Sequence, residues 1–338
     1  MIAHAGKRTL TLENRPYLLS HAAAVGKKEG EGPLGSRFDF VTRNDRMGQK
    51  SWELAESELQ RTAIDLALRK GSLRHCDLDL ILAGDLLNHC IGSFLASMHS
   101  DVPYLGQYGA CSTMAQGLAL GGVLVEAGAA ARLAVSASSH FCSAERQYRF
   151  PLAYGGQRTP TAQWTATAAG AAVLGAEGGS SVRMTHVLFG KMIELGVKDA
   201  NNMGAAMAPA ACDTLSCLLR ELGAQPTDFD CIVTGDLGRV GADLLLTLLR
   251  EDGIDLSPVY SDCGILLFGD TQDAHAGGSG CGCSAAVLCG PLLRDMHEGK
   301  IRRMIFAGTG AMMSPTSVQQ SQPIAGICHA VVLERSGA

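Results

Sequence analysis

LDLILAGDL, residues 78–86, and FDCIVTGDL, residues 229–237, share one layout: a short apolar run that ends in the same Gly-Asp-Leu. Each reads as a buried strand entering a turn. The echo continues downstream. Cys111 is followed by STMAQGLALGGVLVEAG and then ARLAVSASS, while Gly282 is followed by CSAAVLCGPLLRDMHEG and then RRMIFAGTG. Setting Gly128 on Gly299 also sets Arg132 on Arg303 and Cys111 on Gly282, between the two cysteines of CGC. Each half therefore reads strand, connection, small-residue helix, strand.

Working outward, WELAESELQRTAIDLALRK at residues 52–70 repeats apolar positions at three and four and is followed by Gly71, a helix with a stop signal. Its counterpart in the second half is expected at residues 207–222. Strand-like runs alternating with helices predict α/β layers with the sheets covered on each side. The join between halves is expected near AEGGSS, residues 176–181, which gives units of 1–178 and 179–338.

Composition removes several function classes. Hydrophobic residues make up 46% and charged residues 18% of the 338, the balance of a well-buried globular protein. A net charge of −5 with no basic stripe argues against nucleic acid as a partner. The longest apolar candidate, residues 114–135, is rich in glycine and alanine and carries Glu126 and Arg132, so no membrane-spanning segment is expected. The opening residues lack an apolar core of signal-peptide length, and the 12 cysteines are accordingly expected as thiols. Cys281-Gly-Cys283 alone does not make a metal site, and Gly277-Gly278-Ser279-Gly280 lacks the Gly-Lys-Ser/Thr ending of a nucleotide loop. No cofactor or metal is expected.

The residue with chemistry in reach is Cys111 in YGACSTMAQGLALGG, residues 108–122. A thiol at the first turn of a helix sits near unpaired N–H groups and the positive end of the dipole, which favours thiolate. An inert buried thiol is the competing reading.

GACST opening a small-residue helix, the duplicated halves, and GGSGCGCSA followed by a strand and GTGAMMSPT resemble the thiolase-like superfamily, and β-ketoacyl synthase III in outline. AGDLLN, GACSTMAQG, AERQYRFPLAYGGQRTPTA, MAPAACDT, TGDLGRVG, SDCGILLF, AGGSGCGCSA and TGAMMSPT resemble, more closely and nearly end to end, the stage V sporulation protein AD family of spore-forming bacteria. The resemblance implies an α/β, thiolase-like fold of duplicated βαβαβαββ halves in α-β-α-β-α layers. It implies Cys111 as the position of the condensing-enzyme nucleophile. The histidine of those enzymes is replaced here by Asp236, and Gly278 or Ser279 stands at the synthase asparagine, with His275 answering to a thiolase histidine on another gap placement.

A carboxylate is an acceptor where an oxyanion needs donors, and its charge favours a protonated Cys111. Hence no catalytic residue is expected, and Cys111, Asp236 and Ser279 stand as vestiges. The family further implies a binder of dipicolinic acid, pyridine-2,6-dicarboxylate. It would act with the other stage V A proteins at the periphery of the forespore inner membrane, in uptake and in release at germination, and analogy with the fold suggests a homodimer. The expected ligand contacts are Cys111, Ser112, His140, Arg146, Arg149, Asp236, Gly278 and Ser279, with Arg158 as a further charge and Tyr148 or Phe150 as stacking surfaces. The anionic Asp236 raises the calcium chelate of dipicolinate as the bound form. Residual acyl transfer through Cys111, with His275 or His140 as donor, and a scaffold with an empty pocket are the alternative readings.

Overall fold

The computed structural model describes residues 1–148 and 158–336; Arg149 and Phe150, two of the expected contacts, lie outside them. The chain runs through β1 (Tyr17–Val25), α1 (Trp52–Lys70), β2 (Leu80–Gly84), β3 (Tyr104–Gly106), α2 (Thr113–Glu126), β4 (Arg132–Ser139), α3 (Phe141–Tyr148) and β5 (Ala168–Gly175). It continues through β6 (Val182–Leu188), α4 (Met203–Leu222), β7 (Cys231–Thr234), α5 (Gly238–Glu251), β8 (Tyr260–Asp262), α6 (Cys281–Val287), β9 (Arg303–Met312) and β10 (Ala325–Arg335). Shorter strands and turns fill the connections.

The strand order is β8-β7-β9-β10-β6-β1-β5-β4-β2-β3. Read outward from the centre, β6-β10-β9-β7-β8 matches β1-β5-β4-β2-β3 step for step. Directions match as well. β2 lies parallel to β3 and β4, with β5 antiparallel to β4 and β1. In the other set β7 lies parallel to β8 and β9, with β10 antiparallel to β9 and β6. The two sets of five are bridged directly by one residue pair among those described, Arg183 with Tyr17.

Local sequence explains the outer helices. Ser51 caps α1 by accepting from Leu54 N at 3.3 Å, and Gly71 ends it, so the helix occupies the residues its periodicity predicts. Helix α4 begins earlier than expected, at Met203, because the Asn202 side chain accepts from Ala205 N at 3.3 Å and supplies a start signal four residues upstream. Gly223, at φ +60°, closes it. No described helix is long and apolar enough to cross a membrane.

The middle layer is different in kind. Helix α2 packs on β4 and β5 on one side and on β9 and β10 on the other, and Met114, Ala115, Leu118 and Ala119 are wholly buried. A helix buried all round must be narrow. Its small residues supply that, and so do glycines in the facing strands: a Cβ on Gly308 would lie 2.5 Å from that of Ala115, and one on Gly170 would lie 2.2 Å from the Ala285 carbonyl oxygen of α6. This close approach brings the start of α2 against residues from the far half of the chain.

Gly170→Ala should therefore lower the unfolding free energy by about 1–3 kcal/mol, because the obstructing atom is backbone that a rotamer change cannot move. Gly179→Ala, with open space around it, should be near neutral. Urea unfolding midpoints of the two variants check this, and equal midpoints would contradict the packing account.

Candidate functional site

Ala110 adopts φ +49°, a left-handed conformation uncommon for a residue with a side chain, and it turns the chain directly before Cys111. The turn is pinned by side chains. Ser112 Oγ donates to Gly109 O at 2.6 Å, Thr113 Oγ1 donates to Ala110 O at 2.7 Å, and Gly109 N donates to Thr113 Oγ1 at 3.1 Å. Cys111 is thereby held two residues ahead of α2, with 5% of its surface exposed.

From the other half, Gly235 and Asp236 continue past the end of β7 and place a wholly buried carboxyl beside the thiol. Asp236 Oδ2 accepts from Gly280 N at 2.9 Å and from Ser279 Oγ at 3.2 Å, and Oδ1 accepts from Thr309 Oγ1 at 3.0 Å. The Cys111 thiol stands close enough to this carboxyl for each to shift the protonation of the other. Ser279 Oγ lies 4.0 Å from Cys111 Sγ. Cys111, Asp236 and Ser279, three positions separated widely in sequence, thus form one buried cluster. Beneath it Asp262, also buried, accepts from Leu237 N at 2.9 Å, Gly238 N at 3.1 Å and Thr234 Oγ1 at 2.7 Å.

Burial controls the protonation states. It pushes the Cys111 thiol well above its ordinary value, and the charge of Asp236 pushes in the same direction. The helix-start argument for a thiolate is overridden. Desolvation likewise raises Asp236 to about 7, with Asp262 adding to the shift and the donated hydrogen bonds opposing it. The consequence for chemistry is direct. Gly280 N–H, Ser279 O–H and Thr309 O–H, polar donors around the thiol, are all engaged by the Asp236 carboxyl of the chain itself.

The remaining expected contacts do not join this cluster. His140 is buried with both ring nitrogens on backbone, Nε2 on Asp45 O at 2.9 Å and Nδ1 accepting from Cys142 N at 3.2 Å, and burial lowers its pKa. A ring so bound is a neutral structural histidine. Arg146 projects to the exposed side of α3 and pairs with Glu53 at the start of α1. Arg158 donates to Gln163 O and lies over the Trp164 ring at 4.7 Å. The hydroxyl of Tyr148 donates to Leu86 O at 2.5 Å and meets Tyr108 Oη at 3.0 Å. Gly278 contributes backbone only, its carbonyl accepting from Gln163 Nε2 at 2.8 Å. Ser112 adjoins the site but its hydroxyl is spent on the turn.

His275 belongs elsewhere. It sits at φ +51° with Nε2 3.1 Å from Asp273 Oδ1, lining a separate surface pocket with Arg239, Phe268 and Asp270. Among the described residues no three His, Cys, Asp or Glu side chains gather as a metal centre. Sequence reasoning missed Thr309, in GTGAMMSPT, although the echo of ARLAVSASS in RRMIFAGTG placed a polar strand end there.

The family model for stage V sporulation protein AD matches residues 6–334. Stage V sporulation protein AD of Bacillus subtilis (strain 168) is 42% identical over 332 residues, covering 98% of each chain. Among solved structures, 3-oxoacyl-(acyl carrier protein) synthase III of Pseudomonas aeruginosa PAO1 superposes with a TM-score of 0.60 at 15% identity, over 96% of this chain and 99% of that one. A variant of Xanthomonas campestris OleA superposes with a TM-score of 0.61 at 14% identity, over 95% and 98%. The fold is thiolase-like, as its motifs imply.

The raised carboxyl makes a pH prediction. The folded chain keeps a proton on Asp236 up to about pH 7, whereas the unfolded chain releases it near its ordinary 3.8. Stability from that proton is fully present below about pH 4 and is lost as pH rises through 7, on the order of 2–4 kcal/mol. Glu29, raised to about 8 by burial, adds a loss of the same sign. Unfolding free energies measured between these limits should fall in the parent and fall less steeply in Asp236→Asn; parallel slopes would contradict the assignment.

Proposed function

This chain belongs to the stage V sporulation protein AD family, and from that premise we propose that it is a non-catalytic binder of dipicolinate in the developing spore. It would work with other stage V A proteins in moving dipicolinate across the inner forespore membrane during uptake, and again in release at germination. A chain whose described helices are too short or too polar to span a bilayer would reach that membrane through integral partners.

The observation that carries the reading is the Cys111–Asp236 contact. Acyl transfer by a thiol needs a base or a lowered pKa to make thiolate, and then donors for the oxyanion. Here the facing group is a buried carboxyl that holds the thiol protonated and takes the available donors. Losing even one oxyanion donor costs on the order of a hundred- to a thousandfold in rate. What the fold retains is an enclosed two-half frame suited to recognition.

The similarity of the frame to acyl carrier protein synthases keeps residual acyl transfer through Cys111 as the competing reading. One pair of measurements separates the two. Dipicolinate should give saturable heat on titration into the purified chain, and mass spectrometry after incubation with acyl-coenzyme A should show no acyl adduct on Cys111. A thioester on Cys111 that forms and turns over, with no heat from dipicolinate, would overturn the proposal.

A further inference from the structure

The Gly-Asp-Leu echo leaves one member without a role. Asp85, at the end of β2, answers to Asp236 in the other half, and like it is 0% exposed. Its neighbour is Glu56 of α1, also 0% exposed, and among the described residues no Lys, Arg or His side chain stands near enough to offset either charge. The two carboxyls adjoin. Gly92 puts no side chain between them, and a Cβ there would lie 3.3 Å from both Asp85 Oδ2 and Glu56 Cδ.

Each of the carboxyl oxygens already accepts a hydrogen bond. Asp85 Oδ1 accepts from Leu87 N at 2.8 Å, and Oδ2 accepts from Ser93 N and Ser93 Oγ, both at 2.7 Å. Glu56 Oε1 accepts from Ser138 Oγ of β4 at 3.2 Å, and Oε2 accepts from Ser143 Oγ of α3 at 2.7 Å. Donors on every oxygen favour the ionised form of both acids. Burial pulls the other way and raises both above the ordinary carboxyl range, Glu56 further through the charge of Asp85. A positive charge beside the pair reconciles the two tendencies.

A third group points to what carries that charge. Gln60 lies one turn after Glu56 on the same face of α1, wholly buried, and reaches the end of β2 with Nε2 3.5 Å from Gly84 O, next to Asp85. Its Oε1 is buried with no hydrogen-bond partner among the described residues. An unserved amide oxygen beside two carboxylates is a set of hard oxygen donors.

We infer that Glu56, Asp85 and Gln60 Oε1 bind one divalent cation of calcium's size, which ties α1 and α3 to the ends of β2 and β4. Two negative charges select a divalent ion, since a monovalent one would leave a buried anion. The carboxylate and amide oxygens fill most of a shell of roughly six to eight, and the serine hydroxyls complete it. Magnesium, which keeps several of its waters, is disfavoured in so enclosed a place. With only two acids the set is not a cluster of three His, Cys, Asp or Glu; the amide supplies the third ligand.

Equilibrium dialysis of the full chain against calcium chloride, after stripping with EGTA and with bound metal counted by emission spectrometry, tests the site. The parent should hold one calcium per chain. Glu56→Gln combined with Asp85→Asn should hold none, while Glu29→Gln, which removes a buried carboxyl elsewhere, should match the parent. Calcium should raise the melting midpoint of the parent and leave that of the double variant unmoved. Gln60→Met keeps both carboxyls, so it carries the test if the double variant folds poorly, and it should weaken calcium binding at least tenfold. A stripped parent that takes up no calcium overturns the inference and leaves protons as the compensating charge. Parent-like calcium content in the double variant or in Gln60→Met overturns it as well.

Discussion

Two buried groups from opposite halves of the chain, the Cys111 thiol and the Asp236 carboxyl, face each other where almost no water reaches. Everything else about the site follows from that contact. In water, a thiol at a helix start beside polar neighbours would ionise more readily. With solvent removed, each anion becomes costly, and each raises the cost of the other. The system settles with its protons retained, which is the opposite of what a nucleophile requires.

The contact exists because the middle layer is thin. Small residues along α2 and glycines such as Gly170 and Gly308 in the facing strands let two five-strand sets close on one helical layer. The turn at Ala110 and the end of β7 then meet at the seam. The thiolase-like architecture thus brings the start of α2 and the end of β7 together. The Asp236 carboxyl is itself held in the seam by Gly280, Ser279 and Thr309.

Much of this was legible in the residues. The Gly-Asp-Leu echo and the paired small-residue helices reveal the repeated strand order, and the apolar period of residues 52–70 marks α1 to the residue. The convergence of Cys111, Asp236 and Ser279 follows from family motifs. Orientation was less accessible. His140 and Arg146 stand close to the site in sequence, yet strand β4 ends and α3 turns so that one ring is locked on backbone and the guanidinium faces α1. The outer pocket was not singled out, because Arg239 of TGDLGRVG, Phe268 of SDCGILLF and His275 lie in separate stretches that only the fold assembles. For Cys111 the dipole argument and the Asp236 argument pointed in opposite directions, and desolvation adds its weight to the second.

The most direct test of the central claim is the ultraviolet absorbance of thiolate, taken as the difference between the parent and Cys111→Ser while pH is raised from about 6 to about 9. A thiol held protonated by burial and by Asp236 gives no Cys111-dependent absorbance across that range. A thiolate signal that is already complete near neutral pH would show an armed nucleophile and contradict the account.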